Sequence, residues 1–307
     1  MSKDTFFIKP MKMHRVGDDF DFTEFENGEW SISIKMNGWF CEVGRTDAGE
    51  IRVYTGGGER MTGVETVFAD LALPNGTLIC GELLVSDTSV CRCEGQAHGE
   101  GFGVTSHFRK NHPEVCYLAA FDLLQYKGRD LTGVPFGQRL STLKRLVGVT
   151  GDERLAIVEY KEQAGPMPIA EWLQKISEAG AEGAVFGKLS EKYERGRRVR
   201  HLLKWRQTRS YDCVICGLAN KTATQPDGWK RLQYGWADGK VIGTILGDDA
   251  AGPEAEMKAH LGEVVELHAQ GINPQGALLY PRLICWRTDK VASDCDKSEG
   301  IFVETVK

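Results

Sequence analysis

Residues 30–40 read WSISIKMNGWF, and our interpretation of the chain starts from the lysine in this stretch, Lys35. Polar and apolar residues alternate over positions 31–34, which predicts a half-buried strand that ends at Lys35. Asn37 and Gly38 then predict a sharp turn of the backbone. A lysine at a strand end can act as a nucleophile if desolvation or neighbouring positive charge favours its neutral form. On these few residues alone an exposed hairpin lysine is the favoured interpretation, because K-x-N-G is a weak signal, and only the rest of the chain favours the nucleophile.

The composition is that of an ordinary globular chain, with 307 residues, 41% of them hydrophobic and 26% charged. The first twenty residues contain no apolar run of signal-peptide length, and no stretch of about 18 apolar residues predicts a membrane span. We therefore expect a cytoplasmic protein that does not enter a membrane. Nine cysteines without an export signal favour reduced thiols over a disulfide framework.

Three apolar segments of strand length each carry one acidic residue. They are residues 78–85 with Glu82, residues 117–124 with Asp122 and residues 181–187 with Glu182. A carboxylate in such a segment needs a cation, a metal ion or a cleft, because burying it unpaired is costly. A fourth segment, residues 201–206, carries cations instead and reads HLLKWR. If these strands share one cleft with Lys35, the acids and cations suit metal-dependent phosphoryl or nucleotidyl transfer.

Positive charge is concentrated in one segment, although the whole chain has a net charge of -5. Residues 187–209 contain nine Lys or Arg and two Glu, which gives this segment a net charge of +7. Such a density favours phosphate binding, and Arg195, Arg197 and Arg198 are candidates for contacts to a nucleic-acid backbone. A solvated charged face is the alternative interpretation.

The character of the sequence changes after residue 210. Residues 211–307 contain ten Lys or Arg and fourteen Asp or Glu, a net charge of -4. Short strand candidates separated by turns predict a small closed barrel here. The candidates are residues 213–218, 229–236, 240–246, 263–268 and 283–287. We therefore predict two domains, residues 1–209 and 210–307. Cys213 and Cys216 have no second cysteine pair, which favours core packing over metal binding.

Two other segments give local predictions. Apolar residues at positions 64, 67, 68 and 71 have helical spacing and predict an amphipathic helix. Residues 86–115 are glycine-rich and favour a long surface loop. Their cysteines and histidines, with the cysteine that follows, suggest zinc as the alternative, but the spacings match no closed zinc site. These residues are Cys91, Cys93, His98, His107, His112 and Cys116.

Six short motifs in a fixed order resemble those of the covalent nucleotidyltransferase superfamily, and most closely its compact ATP-dependent DNA ligases. The family motifs K-x-D-G, D-G-E-L, F-D-x-L, E-G-x-V, L-K-x-K and R-x-D-K correspond to residues 35–38, 80–84, 121–124, 182–185, 203–206 and 287–290. Each motif alone is a weak signal, but the order of all six over residues 10–290 argues against a chance match. The resemblance implies an α+β fold, with an adenylation (nucleotidyltransferase) domain of antiparallel sheets flanked by helices, followed by a small OB-fold barrel.

The resemblance also implies a role for each matched residue. Lys35 would attack the α-phosphate of ATP and become lysine-AMP, and the AMP would then pass to the 5'-phosphate of nicked duplex DNA. The implied partners of the nucleotide are Ile34, Glu82, Phe121, Lys204 and Arg206, and the implied ligands of Mg2+ or Mn2+ are Glu82, Asp122 and Glu182. Arg287 and Lys290 would orient the departing pyrophosphate when the barrel moves about a hinge at residues 207–211. The implied protein is a monomer.

Three residues depart from the ligase pattern, and they keep other functions open. Asn37 replaces the usual aspartate, and Phe40 and Gly56 stand where DNA ligases usually carry arginines. An RNA ligase is the main alternative, because Asn37 is similar to one branch of that group. A capping guanylyltransferase and a non-catalytic protein that binds nucleic-acid ends are further alternatives. An NAD-dependent ligase is disfavoured, because only 34 residues precede Lys35.

Overall fold

A computed structural model describes residues 6–16, 20–86, 102–161, 167–179, 181–206, 208–220, 225–273, 276–297 and 301–302. The chain divides into two compact units, residues Met1–Trp205 and Arg206–Lys307. The boundary predicted from the sequence lies four residues further on, between residues 209 and 210.

The first sheet of the N-terminal unit has four strands in the order β1-β10-β9-β2. These strands are β1 (Lys12–Arg15), β2 (Trp30–Ile34), β9 (Gly183–Lys188) and β10 (Arg198–Arg206). Strand β2 runs antiparallel to β9, and β1 runs parallel to β10. The sheet therefore joins the beginning of the unit to its end, and it places the strand before Lys35 beside the strand after Glu182.

The second sheet of this unit has six strands, with β8 lying beside β6 and the others in the order β4-β3-β5-β6-β7. Its strands are β3 (Trp39–Arg45), β4 (Ile51–Thr55), β5 (Thr77–Val85), β6 (Cys116–Tyr126), β7 (Arg129–Asp130) and β8 (Leu155–Ile157). Most side chains of β5 are buried, as its nearly continuous apolar sequence predicts. Both predicted apolar strands with a lone acid, at residues 78–85 and 117–124, are confirmed. The structure shows that they are neighbours in this sheet.

Helices cover one face of each sheet. They are α1 (Thr62–Glu65), α2 (Phe102–Asn111), α3 (Phe136–Thr150) and α4 (Ile169–Glu178), with short 3-10 helices at Thr23–Phe25 and Pro113–Val115. Leu143 and Leu146 of α3 pack into the main core of the six-stranded sheet. Trp172 and Leu173 of α4 pack into a second core, against the apolar side chains of the four-stranded sheet. The predicted α+β class with antiparallel sheets and flanking helices is confirmed.

Two local predictions need correction. The helix predicted around residues 64–71 is a single turn, α1, followed by turns, although Val64 and Leu71 are buried as predicted. The long loop predicted for residues 86–115 contains the ten-residue helix α2. Phe108 of α2 is buried in the main core, so this large apolar side chain anchors the helix to the six-stranded sheet.

The C-terminal unit is built around a seven-stranded sheet. Its strands are β11 (Arg209–Asn220), β12 (Trp229–Gly235), β13 (Val241–Thr244), β14 (Ala251–Pro253), β15 (Val264–Ala269), β16 (Arg282–Trp286) and β17 (Ile301–Phe302), with helix α5 (Glu254–Ala259) and a 3-10 helix at Ala292–Asp294. The main path is β13-β12-β11-β15-β16, and all neighbours along it are antiparallel. A parallel bridge between Leu246 and Arg282 joins the region after β13 to β16, at the two ends of this path. All five predicted strands of this unit are present.

The cysteines of β11 lie in apolar surroundings. Cys213 is buried in the core of the C-terminal unit, and Cys216 packs at the edge of a smaller cluster. Among the described residues, no helix is long and apolar enough to cross a membrane.

Candidate active site

Lys35 lies where the chain passes from the first sheet of the N-terminal unit to the second. Ile32 of β2 points into the core, so the alternation of the strand places Ser31, Ser33 and then Lys35 on the opposite face. The Lys35 N–H donates a hydrogen bond of 2.8 Å to the Gly183 carbonyl, which extends the pairing of β2 and β9 by one residue. Lys35 is therefore held by the backbone at the edge of one sheet, four residues before the other begins at Trp39.

Gly38 allows the chain to approach β5 closely. A Cβ atom at this position would lie 2.3 Å from the Leu83 carbonyl oxygen and 2.9 Å from Cγ of Glu82. The Gly38 N–H donates a hydrogen bond of 3.1 Å to Oε1 of Glu82. Glycine is required here because the backbone of β5 occupies the space of a side chain, and the short K-x-N-G motif thereby brings Glu82 to the Lys35 loop.

The Lys35 ammonium forms an ion pair with Glu182, the residue that precedes β9. Both side chains are nearly buried, with 12% of Lys35 and 9% of Glu182 exposed. Nζ of Lys35 also donates to the Met36 carbonyl at 3.3 Å. The motif that contains Glu182 and the motif that contains Lys35 are 147 residues apart in sequence and adjacent in space.

Glu82 adds a second carboxylate to this site. It lies on β5, directly opposite Phe40 of β3. Burial raises the pKa of Glu82 to about 7, and the charge of Glu182 acts in the same direction. The positive charge of Lys35 and the Gly38 N–H oppose this shift. The site thus combines one lysine with two acids, one of which changes protonation state near neutral pH.

The donor set suits a divalent cation. Mg2+ binds oxygen ligands and in nucleotide sites commonly takes one or two carboxylates together with substrate phosphates. Glu82 and Glu182 provide such carboxylates. In the described ranges, no group of three or more His, Cys, Asp or Glu side chains could hold a metal ion by itself. Phosphate oxygens of a nucleotide would therefore have to complete the coordination.

Asp122 forms a buried ion pair with Arg139. Its Oδ1 accepts a 2.8 Å bond from Nε of Arg139, and its Oδ2 accepts a 2.9 Å bond from Nη2 of the same guanidinium. The Leu123 N–H also donates to Oδ1 at 2.8 Å. Asp122 and Arg139 are 7% and 1% exposed. Both carboxylate oxygens thus accept hydrogen bonds inside the fold, and the metal role of Asp122 stays a prediction from the sequence.

The sequence interpretation missed Arg139 as the partner of Asp122. Arg139 lies on the buried face of α3 together with Leu140, Leu143 and Leu146. Arginine on the apolar face of a helix is rarely buried without a partner. That placement was the signal in the sequence, but the sequence does not show which acid the arginine meets.

The cations of β10 lie on the same face of the first sheet as Lys35. Leu203 and Trp205 point into the core, so the alternation of the strand places Lys204 and Arg206 on the opposite face. Strands β10 and β2 are separated only by β9, which corresponds to about 10 Å between their axes. Lys204 thus lies on the face of the sheet that carries Lys35, two strands away.

Two residues implied as nucleotide contacts are half-buried near this site. Ile34 packs at the edge of the core beneath the first sheet. Phe121 of β6 packs with Leu84 and Ala119 of the second sheet. Its carbonyl accepts a 3.4 Å hydrogen bond from the hydroxyl of Tyr160.

The zinc hypothesis concerns mostly residues that the structure does not describe. Cys91, Cys93 and His98 lie outside the described residues, as does the side chain of His107. Cys116 is a buried free thiol, and His112 forms a 3.2 Å contact with Glu114. Neither residue indicates a metal site.

The family model described as the ATP dependent DNA ligase domain matches residues 10–206. This chain belongs to that family. The resemblance that the six motifs indicated is therefore confirmed. The match ends at Arg206, the last residue of β10 and of the L-K-x-K motif.

The curated relatives are named as DNA ligases or probable DNA ligases. A probable DNA ligase of Streptomyces coelicolor is 28% identical over 198 residues, which is 61% of this chain and 37% of that protein. A probable DNA ligase of Mycolicibacterium gilvum is 25% identical over 333 aligned residues, which is 96% of this chain and 63% of that protein. A DNA ligase of Aeropyrum pernix is 27% identical over 188 residues, which is 58% of this chain and 30% of that protein. The chain thus spans less than two thirds of the length of these relatives.

Solved ligase structures share the fold. A structure from a study of DNA binding by Lig E DNA ligases has a TM-score of 0.65 and 17% identity, and the match covers 92% of this chain and 100% of that one. The ligase domain of LigD from Mycobacterium tuberculosis has a TM-score of 0.56 and 18% identity, with 95% and 99% covered.

Two of the departures from the ligase pattern contact each other. A Cβ atom at Gly56 would lie 3.2 Å from the ring of Phe40 and 3.8 Å from Pro10. The Phe40 ring also lies 6.1 Å from the ring of Phe121. A side chain at position 56 would therefore require the Phe40 ring to move by a few tenths of an ångström. Asn37, the third departure, has an exposed side chain.

The arginines of the basic segment differ in exposure. Arg195 forms an ion pair with Asp130 and a 3.2 Å hydrogen bond to Thr132. Arg198 donates to the Met13 carbonyl. Arg197 is 79% exposed, and its one ion pair, to Glu194, is long at 3.9 Å. Of the three predicted DNA contacts, Arg197 is the most accessible.

The terminal R-x-D-K motif lies in the C-terminal unit and forms a compact ion-pair cluster there. Arg287 and Lys290 both contact Asp212 of β11. The motif's own acid, Asp289, binds Arg287 at 2.7 Å.

Proposed function

We propose that this chain is an ATP-dependent DNA ligase that seals nicks in duplex DNA through a lysine-AMP intermediate. The observation that supports this most strongly is the position of Lys35 at the crossing between two sheets, with Glu182 and Glu82 beside it. A structural lysine would need one acid to balance its charge. A lysine with two acids, next to a face that carries Lys204 and Arg206, suits a reaction that brings phosphate and a divalent cation to the same place.

In the first step, Nζ of Lys35 attacks the α-phosphorus of ATP. The N–P bond forms, the bond from that phosphorus to pyrophosphate breaks, and the electron pair leaves on the pyrophosphate oxygen. Nζ must lose one proton before it attacks, and the Glu182 carboxylate, with which it already forms an ion pair, would accept it. A second proton leaves to solvent once the N–P bond has formed. Lys204 and Arg206 would bind the α-phosphate oxygens. Glu82 and Glu182 would hold Mg2+, which supplies charge neutralisation on the phosphates when bound.

In the later steps, an oxygen of the 5'-phosphate at the nick attacks the same phosphorus, and the bond to Nζ breaks. The 3'-hydroxyl then attacks the activated 5'-phosphate, and AMP leaves. Lys35 is regenerated with its proton restored. The exposed Arg197 and its neighbours in the basic segment would contact the DNA backbone.

We also infer that the C-terminal unit is an OB-fold barrel. The strand order β13-β12-β11-β15-β16 and the parallel bridge between Leu246 and Arg282 support a five-stranded closed path. The monomeric state and the cytoplasmic location stay predictions from the sequence.

The experiment that tests the function has two stages. The protein is incubated with Mg2+ and ATP or GTP labelled at the α-phosphate, and label on the protein is measured. The labelled protein is then given nicked DNA or nicked RNA duplexes. Transfer from ATP to nicked DNA, followed by sealing, is the expected result. Preferred sealing of RNA would instead support the RNA ligase alternative suggested by Asn37, and labelling by GTP alone would support a capping enzyme.

A further inference from the structure

Asp212 stands at the centre of the ion-pair cluster in the C-terminal unit. It lies on β11, directly opposite Glu266 of the antiparallel strand β15. Two acids at facing positions of neighbouring strands repel each other. Arg287 follows β16, on the far side of β15, and its guanidinium reaches Asp212 at 2.9 Å and Glu266 at 3.8 Å. The pairing of the strands therefore creates a negative site that a cation must fill.

Asp212 holds two cations with its two oxygens. Oδ1 accepts from Nη1 of Arg287 at 2.9 Å, and Oδ2 contacts Nζ of Lys290. Asp289 binds the other edge of the guanidinium, with 2.9 Å to Nε and 2.7 Å to Nη2. Asp212 is only 18% exposed, whereas Asp289 is 63% exposed. Asp212 is thus the more buried acid of the cluster, and it hydrogen-bonds to both cations.

The cations keep hydrogen-bonding capacity after these contacts. A guanidinium has five N–H donors and an ammonium has three. Within the described residues, the short contacts use three donors of Arg287 and one of Lys290. Two donors on each group remain, and a phosphate has several oxygens to accept them. Three acids, Asp212, Asp289 and Glu266, surround the two cations, so the cluster would bind an anion through oriented donors rather than through net charge.

We propose that Asp212 is a positioning residue that holds Arg287 and Lys290 in one fixed arrangement for the pyrophosphate that leaves when Lys35 reacts with ATP. This inference rests on the proposed function. The bond between the α-phosphorus and pyrophosphate breaks with its electron pair on the leaving oxygen, and the donors of the two cations stabilise the charge that develops there. Asp212 itself does not touch the nucleotide. Its effect is to prevent two like charges from separating.

The test compares Asp212→Ala and Asp212→Asn in the full chain. Two reactions are measured for each, the rate of Lys35 labelling by ATP and the rate of sealing of a nick that is already adenylated. The expected loss in labelling for Asp212→Ala is about 10- to 100-fold, the range of one charge-assisted hydrogen bond. Asp212→Asn should lose less, because its single amide oxygen can still accept from one cation. Sealing of the adenylated nick should change less than about twofold, because pyrophosphate takes no part in that step.

A second readout distinguishes positioning from folding. Added pyrophosphate reverses the labelling step, and the concentration needed for half-maximal reversal should rise by a similar factor in the Asp212 variants. The matched control is Glu254→Ala, which removes an exposed acid of the same unit whose 2.8 Å ion pair is with Lys258. That control should leave both reactions and the reversal unchanged.

Several outcomes would overturn the inference. Unchanged labelling in Asp212→Asn and Asp212→Ala would show that the cations need no positioning. An equal loss in labelling and in sealing would assign Asp212 to the stability of the unit. Failure of the unmodified protein to label at all would instead count against the proposed function, so the two failures are distinguishable. If Asp212→Ala does not fold, Asp212→Asn decides the test, because it keeps the shape of the side chain.

Discussion

Two ion pairs in the N-terminal unit, Lys35–Glu182 and Arg139–Asp122, use the same residue types for different purposes. The guanidinium of Arg139 meets one carboxylate edge to edge, and a 2.6 Å bond to the Val134 carbonyl uses a further donor. The ammonium of Lys35 meets one acid, Glu182, directly, and a second acid, Glu82, lies close enough for the charge of Glu182 to raise its pKa. The first pair is balanced and closed to solvent, whereas the second has an additional carboxyl group beside it, whose pKa burial raises to about 7. Of the two ion pairs, the one with an additional acid beside it is the candidate for catalysis.

The largest effect is expected from Lys35. Lys35→Ala should abolish covalent labelling by ATP, because no second nucleophile occupies the sheet crossing. Lys35→Arg should fail as well, since a guanidinium does not deprotonate in proteins. Labelling is measured with α-labelled ATP. Label that persists at another lysine would show that Lys35 is not the reactive residue.

The Arg139–Asp122 ion pair should matter for stability instead. Arg139→Leu should lower the free energy of unfolding by about 3–5 kcal/mol, because it leaves the Asp122 carboxylate buried without a partner. Adding Asp122→Leu should recover most of this loss, since the unpaired charge is then removed as well. Urea denaturation of the single and double variants measures both effects.

Glu182→Gln is the matched change in the Lys35–Glu182 ion pair. The amide keeps the shape of the side chain and an oxygen that can accept from Lys35, so its cost in stability should be well below that of Arg139→Leu. Labelling should nevertheless slow by about a hundredfold, the scale for loss of one electrostatic contact in an active site. A variant that unfolds as readily as Arg139→Leu would remove the distinction between the two pairs.

Glu42 extends the comparison to a buried acid without a cation. It is fully buried on β3, and it accepts a 3.1 Å bond from the Ile8 N–H. Burial raises its pKa from 4.5 to about 8. The folded state therefore binds this proton more tightly than the unfolded state, and the resulting stability is present below pH 4.5 and is lost as the pH rises through about 8.

Glu42→Gln should accordingly match the unmodified protein near pH 5 and exceed its stability at pH 9 by a few kcal/mol. Urea denaturation at the two pH values measures the difference. A smaller pH dependence should persist in the variant, because Glu82 has a pKa of about 7 and titrates in the same range. Equal stability differences at both pH values would mean that Glu42 is charged in the fold.

The smallest effect concerns the basic segment, where one arginine is paired and another is exposed. Arg197→Ala should reduce the slope of log binding constant against log salt concentration by about one unit for nicked DNA. Arg195→Ala should change it less, because Asp130 already neutralises that charge. Labelling by ATP should be unchanged in both. Equal slopes for the two variants would show that the pairing with Asp130 is lost when DNA binds.

Much of the fold could be predicted because the signals are local. The alternation around Lys35, the apolar strands with one acid and the turn-separated strands after residue 210 all appear as strands in the structure. The extent of α1 and the presence of α2 could not be predicted in this way. Val64 and Phe108 are placed by contacts with the main core, which are made with residues distant in sequence.

The sequence by itself determined the position of Lys35, the order of the six motifs and the excess of positive charge between residues 187 and 209. The strand before Lys35, each single motif and the basic segment consist of residues close together in the chain, and the order of the motifs follows directly from their positions. Tertiary structure decided which cation each of the three lone acids lies beside. Glu82, Asp122 and Glu182 have the same local pattern, yet the sheets bring two of them to Lys35, and α3 brings Arg139 to the third. A buried carboxylate takes its role from the cation that reaches it, and that cation is supplied by another part of the fold.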